Sequence, residues 1–177
     1  MKKIWILSVT AALALALSAC GVGDVGGASS APAASSQAAA SSQASSAAVT
    51  ADGVQDSLKG LQSYLVANAS VSGTPEAMRA DIIGAKSGLR YKYGYNGGKD
   101  NVTLELYEFD PSSLNDEAQK ILSQVRSSGK FTLLGKGIDA TLSGNGKYMA
   151  IVTDSSADDA NKAYVQKVKG LVGDFKK

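Results

Sequence analysis

The sequence predicts an α+β fold: two N-terminal helices followed by a ββαββα unit, with an antiparallel four-stranded sheet and helices packed on one face. Three observations carry this expectation. Apolar residues recur at spacings of three and four in several segments, the period of a helix. Between those segments lie short stretches that alternate with a period of two and are rich in Tyr, Val and Leu. Clusters of Asn and Gly then join the alternating stretches in pairs, as hairpin turns do.

Taken in order, Val54, Leu58, Leu61, Leu65 and Ala69 form one helical stripe, with Asp52 as a candidate N-cap and Gly60 as a tolerated weak point. Thr74-Pro75-Glu76 reads as a second helix start: Thr at the N-cap, Pro in the first turn and an acid after it. Met78, Ile82 and Ile83 would supply its buried side, and Gly84 and Gly88 would end it. Leu89, Tyr91, Tyr93 and Tyr95 then alternate with Arg90, Lys92 and Gly94 as a strand. The turn-rich run from Asn96 to Asn101 leads into a second strand, Val102 to Phe109, stopped by Asp110-Pro111. Leu114, Ala118, Ile121, Leu122 and Val125 mark a helix ending near Gly129.

The order then repeats. Phe131 to Leu134 and Ile138 to Leu142 read as one strand interrupted by a bulge at Gly135 and Gly137. Gly144-Asn145-Gly146 makes a hairpin turn into the strand Tyr148 to Thr153. Ser156 or Asp158 caps a last helix with Ala160, Tyr164, Val168, Leu171 and Phe175 on its inner face. Hairpin followed by helix, twice over, most simply places both helices on the same face of one sheet.

Ahead of residue 51 nothing can build a core. Lys2 and Lys3 precede a largely apolar run from Ile4 to Leu17, the layout of an export signal over residues 1–19. The run stops at Ser18, short of the roughly 20 apolar residues that a membrane span needs. Leu17-Ser18-Ala19-Cys20 follows, holding the only cysteine of the chain. This motif resembles the lipobox of bacterial lipoproteins. The resemblance implies cleavage between Ala19 and Cys20, and lipidation of Cys20 as the first mature residue. Residues 21–50 read as a flexible tether, because residues 28–48 hold only Ala, Ser, Gln and one Pro. Such a stretch buries too little apolar surface to offset its ordering entropy, and as a coil the whole tether, 21–50, spans about 30 Å. The division is therefore a signal at 1–19, a lipidated tether at 20–50 and one α+β domain at 51–177.

Composition excludes several classes of chemistry. The chain carries a formal charge of +2, and loss of Lys2 and Lys3 with the signal leaves the mature side chains neutral. A neutral chain has no general attraction for phosphate backbones, so no nucleic-acid partner is expected. There is no histidine, and the one cysteine is the lipid site that the lipobox resemblance implies. Catalytic triads with an imidazole base, zinc sites and disulfides therefore have no residues to form them. No cofactor or metal is expected. Gly21-Val22-Gly23-Asp24-Val25-Gly26 matches G-x-G-x-x-G, but it follows no core strand and opens no helix, so it is not a dinucleotide site.

Carboxylates are the remaining candidates for acid–base work. One group is Asp154, Asp158 and Asp159; the other is Glu108, Asp110, Asp116 and Glu117. Both fall at strand ends and first helical turns, where acids cap and stabilise a helix N-terminus, and capping is the favoured reading. The candidate binding face is the row Tyr91, Tyr93 and Tyr95 beside Arg90 and Lys92, which would bind glycan or peptide if open. Tyr is also a strong strand former, and the same row would serve as a core layer. Lys162, Lys167, Lys169, Lys176 and Lys177 make the last helix basic, most simply a solvated face.

Ile82-Ile83-Gly84-Ala85-Lys86-Ser87-Gly88 and Val102 to Asp110 look like segments of small lipoproteins of Gram-positive anaerobes, which share a Ser/Ala tether. That likeness implies a surface lipoprotein and no particular activity. The expected role is a membrane-anchored, extracytoplasmic binding or interaction domain with no catalytic residues, whose partner is an envelope protein, a wall polymer or a small ligand. A carboxylate-dependent hydrolase of wall material and an inhibitor-type domain are the alternatives. The expected location is the outer face of the cell membrane, or the outer membrane of a Gram-negative cell.

Overall fold

A computed structural model describes residues 48–177; the signal, Ala19, Cys20 and nearly all of the tether lie outside the described residues. The elements in order are helix α1 (Leu58–Ala69), strands β1 (Glu76–Ala77), β2 (Ser87–Tyr93) and β3 (Val102–Glu108), helix α2 (Asp116–Ser128), strands β4 (Lys130–Leu133), β5 (Lys136–Asp139), β6 (Thr141–Leu142) and β7 (Tyr148–Asp154), and helix α3 (Asp159–Asp174). Five strands form one antiparallel sheet in the order β1-β2-β3-β7-β6, while β4 and β5 form a separate hairpin.

α1 starts later than Asp52 suggests. Ser57 is its N-cap, with the side chain accepting from the Gly60 N–H. The preceding turn folds back over the helix, so a Cβ on Gly60 would stand 1.9 Å from the Gln55 carbonyl oxygen. Helix propensity alone would make Gly60→Ala stabilising by about 1 kcal/mol. The contact reverses that sign, because a backbone oxygen cannot step aside as a side-chain tip can. The expected result is a net loss of about 1–3 kcal/mol, read as a lower denaturant midpoint at unchanged slope.

The second N-terminal helix does not form. Glu76 and Ala77 pair instead with Arg90 and Leu89 at the sheet edge, and the Met78 N–H donates to the Gly88 carbonyl. Only a 3-10 turn, Asp81–Ile83, remains of the expected helix. A segment this short, with three apolar residues, has too little to bury to offset helix nucleation. Ile83 is buried but Ile82 stays 55% exposed, so the proposed stripe never becomes a face.

The sheet is covered on both sides, which corrects the one-face arrangement. On one side Tyr91, Tyr93, Val102, Leu104, Leu106, Tyr148, Ala150 and Val152 pack with α1 and α3. On the other, Tyr107, Met149 and Ile151 pack with Ile121, Leu122 and Val125 of α2 and with Phe131 of the β4–β5 hairpin. The unbroken buried run Tyr148-Met149-Ala150-Ile151-Val152 shows why: a strand that feeds two cores is apolar on both alternations. The expected bulged strand over 131–142 is likewise a hairpin plus a short strand. It turns at Leu134 and Gly135, whose φ values are +50° and +77°, the pattern of a two-residue primed turn.

Caps close the helices where acids and amides stand. Asn115 accepts from the Ala118 N–H to start α2, Gly129 ends it at φ +69°, and Asp158 accepts from the Asn161 N–H to start α3. On α3 the buried residues are Asn161, Tyr164, Val168 and Val172, whereas Ala160 is exposed and Leu171 half-buried.

Candidate functional site

The tyrosine row is core. Tyr91 and Tyr93 are 1% and 4% exposed, and Tyr95 is half-buried against Tyr164, ring centroids 3.9 Å apart. A binding face made of all three is therefore not available. Alternation also separates them from their charged neighbours: Arg90 and Lys92 project from the opposite side of the sheet. Only Arg90, of the five candidates, lines a concavity on that side.

That concavity is the candidate site. α2 and the β4–β5 hairpin cover part of the second face and stop short of β1 and β2. The resulting cleft, of about 420 Å³, is lined by residues 76–79, 82, 83, 90, 105, 107 and 133. Its floor is set by cross-strand register, which places Arg90 opposite Glu105 and, on its other side, opposite Glu76. Arg90 donates from Nε and Nη2 to Glu105 Oε1, at 3.0 and 2.8 Å. The Tyr107 hydroxyl donates to the other carboxylate oxygen at 2.9 Å. Burial, and then the Glu105 charge beside it, hold the Tyr107 phenol well above its ordinary range, so it stays protonated as a donor. Met78, Ile82 and Leu133 form the apolar rim.

Chemically the floor of the cleft is an ion pair, Arg90 with Glu105, neutralised in place. Glu105 is engaged at both oxygens, and the lining contains no Ser, Thr, Cys or Lys to act as nucleophile. Two carboxylates, Glu76 and Glu105, do share the face, with Arg90 between them in the cross-strand row. Lys92, exposed, extends the same face beside Thr103.

The acid clusters serve as caps and braces. Asp154 accepts from Asn101 Nδ2 at 2.9 Å, the Ser156 N–H at 2.8 Å and Asn161 Nδ2 at 2.6 Å. Burial alone would raise its carboxyl, but these hydrogen bonds outweigh burial and hold it below the ordinary range. Asn101 also accepts from the Tyr95 N–H, so the network ties the β2–β3 loop to the start of α3. In the other cluster Asp110 accepts from Ser112 while Asp116 and Glu117 open α2. No group of three or more acidic, His or Cys side chains among the described residues could hold a metal ion. Of the lysines on and just beyond α3, Lys162 pairs with Asp159, Lys177 with Asp174, and Lys176 donates to the Val54 carbonyl.

Sequence reasoning missed Glu105, Tyr107, Met78, Ile82 and Leu133 as site residues. The available signal was a pair of long, oppositely charged side chains, Arg90 and Glu105, on the polar alternation of two paired strands. No protein-family model, curated protein or solved structure matches this chain.

Proposed function

We propose that this protein is an extracytoplasmic lipoprotein, anchored through Cys20, whose domain is an interaction module with the cleft on the second sheet face as its docking surface. One observation carries the reading: a concave site with an apolar rim and an internally neutralised floor, Arg90 with Glu105 and Tyr107. Such a floor orients a partner without presenting a reactive group. Support for outward presentation comes from where the chain enters the fold. Asn68 Nδ2 donates to the Val49 carbonyl at 2.8 Å, and Ala51 and Val54 pack on the α1 side, while the cleft opens on the other face. Among the described residues no helix is long and apolar enough to cross a membrane; the lipobox-like Leu17-Ser18-Ala19-Cys20 is what supports anchoring through Cys20.

Two measurements test this. In the full-length chain, Cys20→Ser is expected to shift the protein out of the membrane fraction or leave an uncleaved precursor; unchanged mass and partition would sink the anchor. Ile82→Asp is expected to abolish retention of the protein partner that docks on the anchored chain, and unchanged retention would move the docking surface elsewhere.

The competing reading is a carboxylate-dependent hydrolase, favoured by Glu76 and Glu105 on one face. Cleavage of wall material that Glu105→Gln abolishes, with folding intact, would establish it in place of the interaction module.

A further inference from the structure

Leu134 is an anomaly on the surface. It is 94% exposed at the tip of the β4–β5 turn and held at φ +50°, a backbone region that a bulky apolar residue rarely adopts and where Asn is at home. It is thus unfavourable to the isolated fold twice over, through its backbone and through its exposure, which points to a contact outside the monomer. The neighbouring residue, Leu133, lines the cleft, so an apolar knob and an apolar-rimmed hole stand side by side. Charge has the same adjacency. Lys136 faces Leu133 across the hairpin, and Glu76 stands in the cleft lining; neither enters an ion pair among the described residues.

We infer that the occupant of the cleft is a second copy of this chain, with Leu134 of each copy seated in the cleft of the other and Lys136 of each meeting Glu76 of the other. The inference rests on the reading of this face as a docking surface and names its partner. A knob adjacent to its own complementary hole is the arrangement that a two-fold axis satisfies reciprocally, burying both knobs in one closed contact. The same adjacency closes a pair and leaves no open end for a filament. Such an interface is small, so it depends on the raised local concentration of chains confined to one surface.

Cysteine crosslinking of the full chain in intact membranes tests this, because Cys20 is the only native cysteine and the wild-type chain serves as the blank. Leu134→Cys combined with Ile82→Cys is expected to give, on mild oxidation, a reducible band of twice the chain mass, well above the yield of either single variant. In that background Glu76→Lys should cut the yield about tenfold through like-charge contact with Lys136, and adding Lys136→Glu should restore it. Leu134→Asn, without the engineered cysteines, should raise the melting temperature by a few degrees while abolishing chemical crosslinking of the dimer through amines. Absence of the dimer band, or no restoration by the charge exchange, overturns the inference, as does an adduct with a different protein. If the dimer band is absent but Ile82→Asp still abolishes partner retention, the cleft remains the docking surface with another occupant. If Ile82→Asp changes nothing either, the parent reading fails as well.

Discussion

Raising the pH beyond about 10 is expected to unfold the domain in one cooperative step, with phenolate absorbance and loss of circular dichroism superimposed. Six of the seven tyrosines, Tyr64, Tyr91, Tyr93, Tyr107, Tyr148 and Tyr164, are buried. Each phenol is held above its ordinary value, with burial the largest cause in every case. The sign follows from proton counting. In the unfolded chain these phenols ionise near pH 10, while in the folded chain they keep their protons well beyond it. The unfolded state therefore binds fewer protons, and stability falls as pH rises. The contribution is fully present below pH 10 and is lost progressively above it, at up to about 1.4 kcal/mol per pH unit for each phenol, or about 4 kcal/mol per unit for the three most strongly shifted, Tyr93, Tyr107 and Tyr148. Against a typical domain stability of about 5–15 kcal/mol, a rise of about two units removes most of the margin of an ordinary domain. Phenols that titrated one by one before any loss of structure would show that the tyrosines are not the core.

The β2–β3 and β6–β7 hairpins and the last two helices were legible because each carries its own local chemistry. Asn96-Gly97 and Asn145-Gly146 supply turns, and Asn115, Gly129 and Asp158 supply caps, so these elements do not depend on what surrounds them. The segment 74–84 was misread because its local signals were sound and its context decided otherwise: Pro75 and Glu76 suit a helix start, but β2 offered an edge to pair with. Facing was misread for a related reason. Alternation in β3 separates Val102, Leu104 and Leu106 from Thr103, Glu105 and Tyr107, and a polar alternate set suggests solvent. In β7 both sets are apolar, and that continuous run marks the second core. The site itself was only partly legible. Arg90 was singled out beside the tyrosines, yet its working partner is Glu105, which only the strand register brings to it. Leu134 gave no sequence signal at all, because its significance lies in exposure and a positive φ rather than in residue type.

Removal of one oxygen from Tyr164 is expected to cost more than removal of the matching oxygen from Tyr93, although the two hydroxyls share one hydrogen bond. They lie 2.7 Å apart, and the Tyr164 hydroxyl donates to the Ala69 carbonyl at 2.9 Å. Its single proton is thus committed, and Tyr93 must be the donor to Tyr164. The relay runs from β2 through α3 to the last carbonyl of α1, a group that has no partner within its own helix. Tyr164→Phe leaves two buried groups unsatisfied, the Tyr93 hydroxyl and the Ala69 carbonyl, for an expected loss of about 2–4 kcal/mol. Tyr93→Phe removes only a donor, and Tyr164 keeps its bond to Ala69, for about 1 kcal/mol. The ring packing is conserved in both, with edge contact between Tyr93 and Tyr164 at 6.3 Å and the Tyr95 stack intact. Chemical denaturation of the two single variants and the double variant checks the argument. The double should cost little more than Tyr164→Phe alone, since the Tyr93 hydroxyl orphaned by the first change is removed by the second. Equal single losses would mean that the proton runs the other way, and α1 would then be tied to the sheet by packing alone.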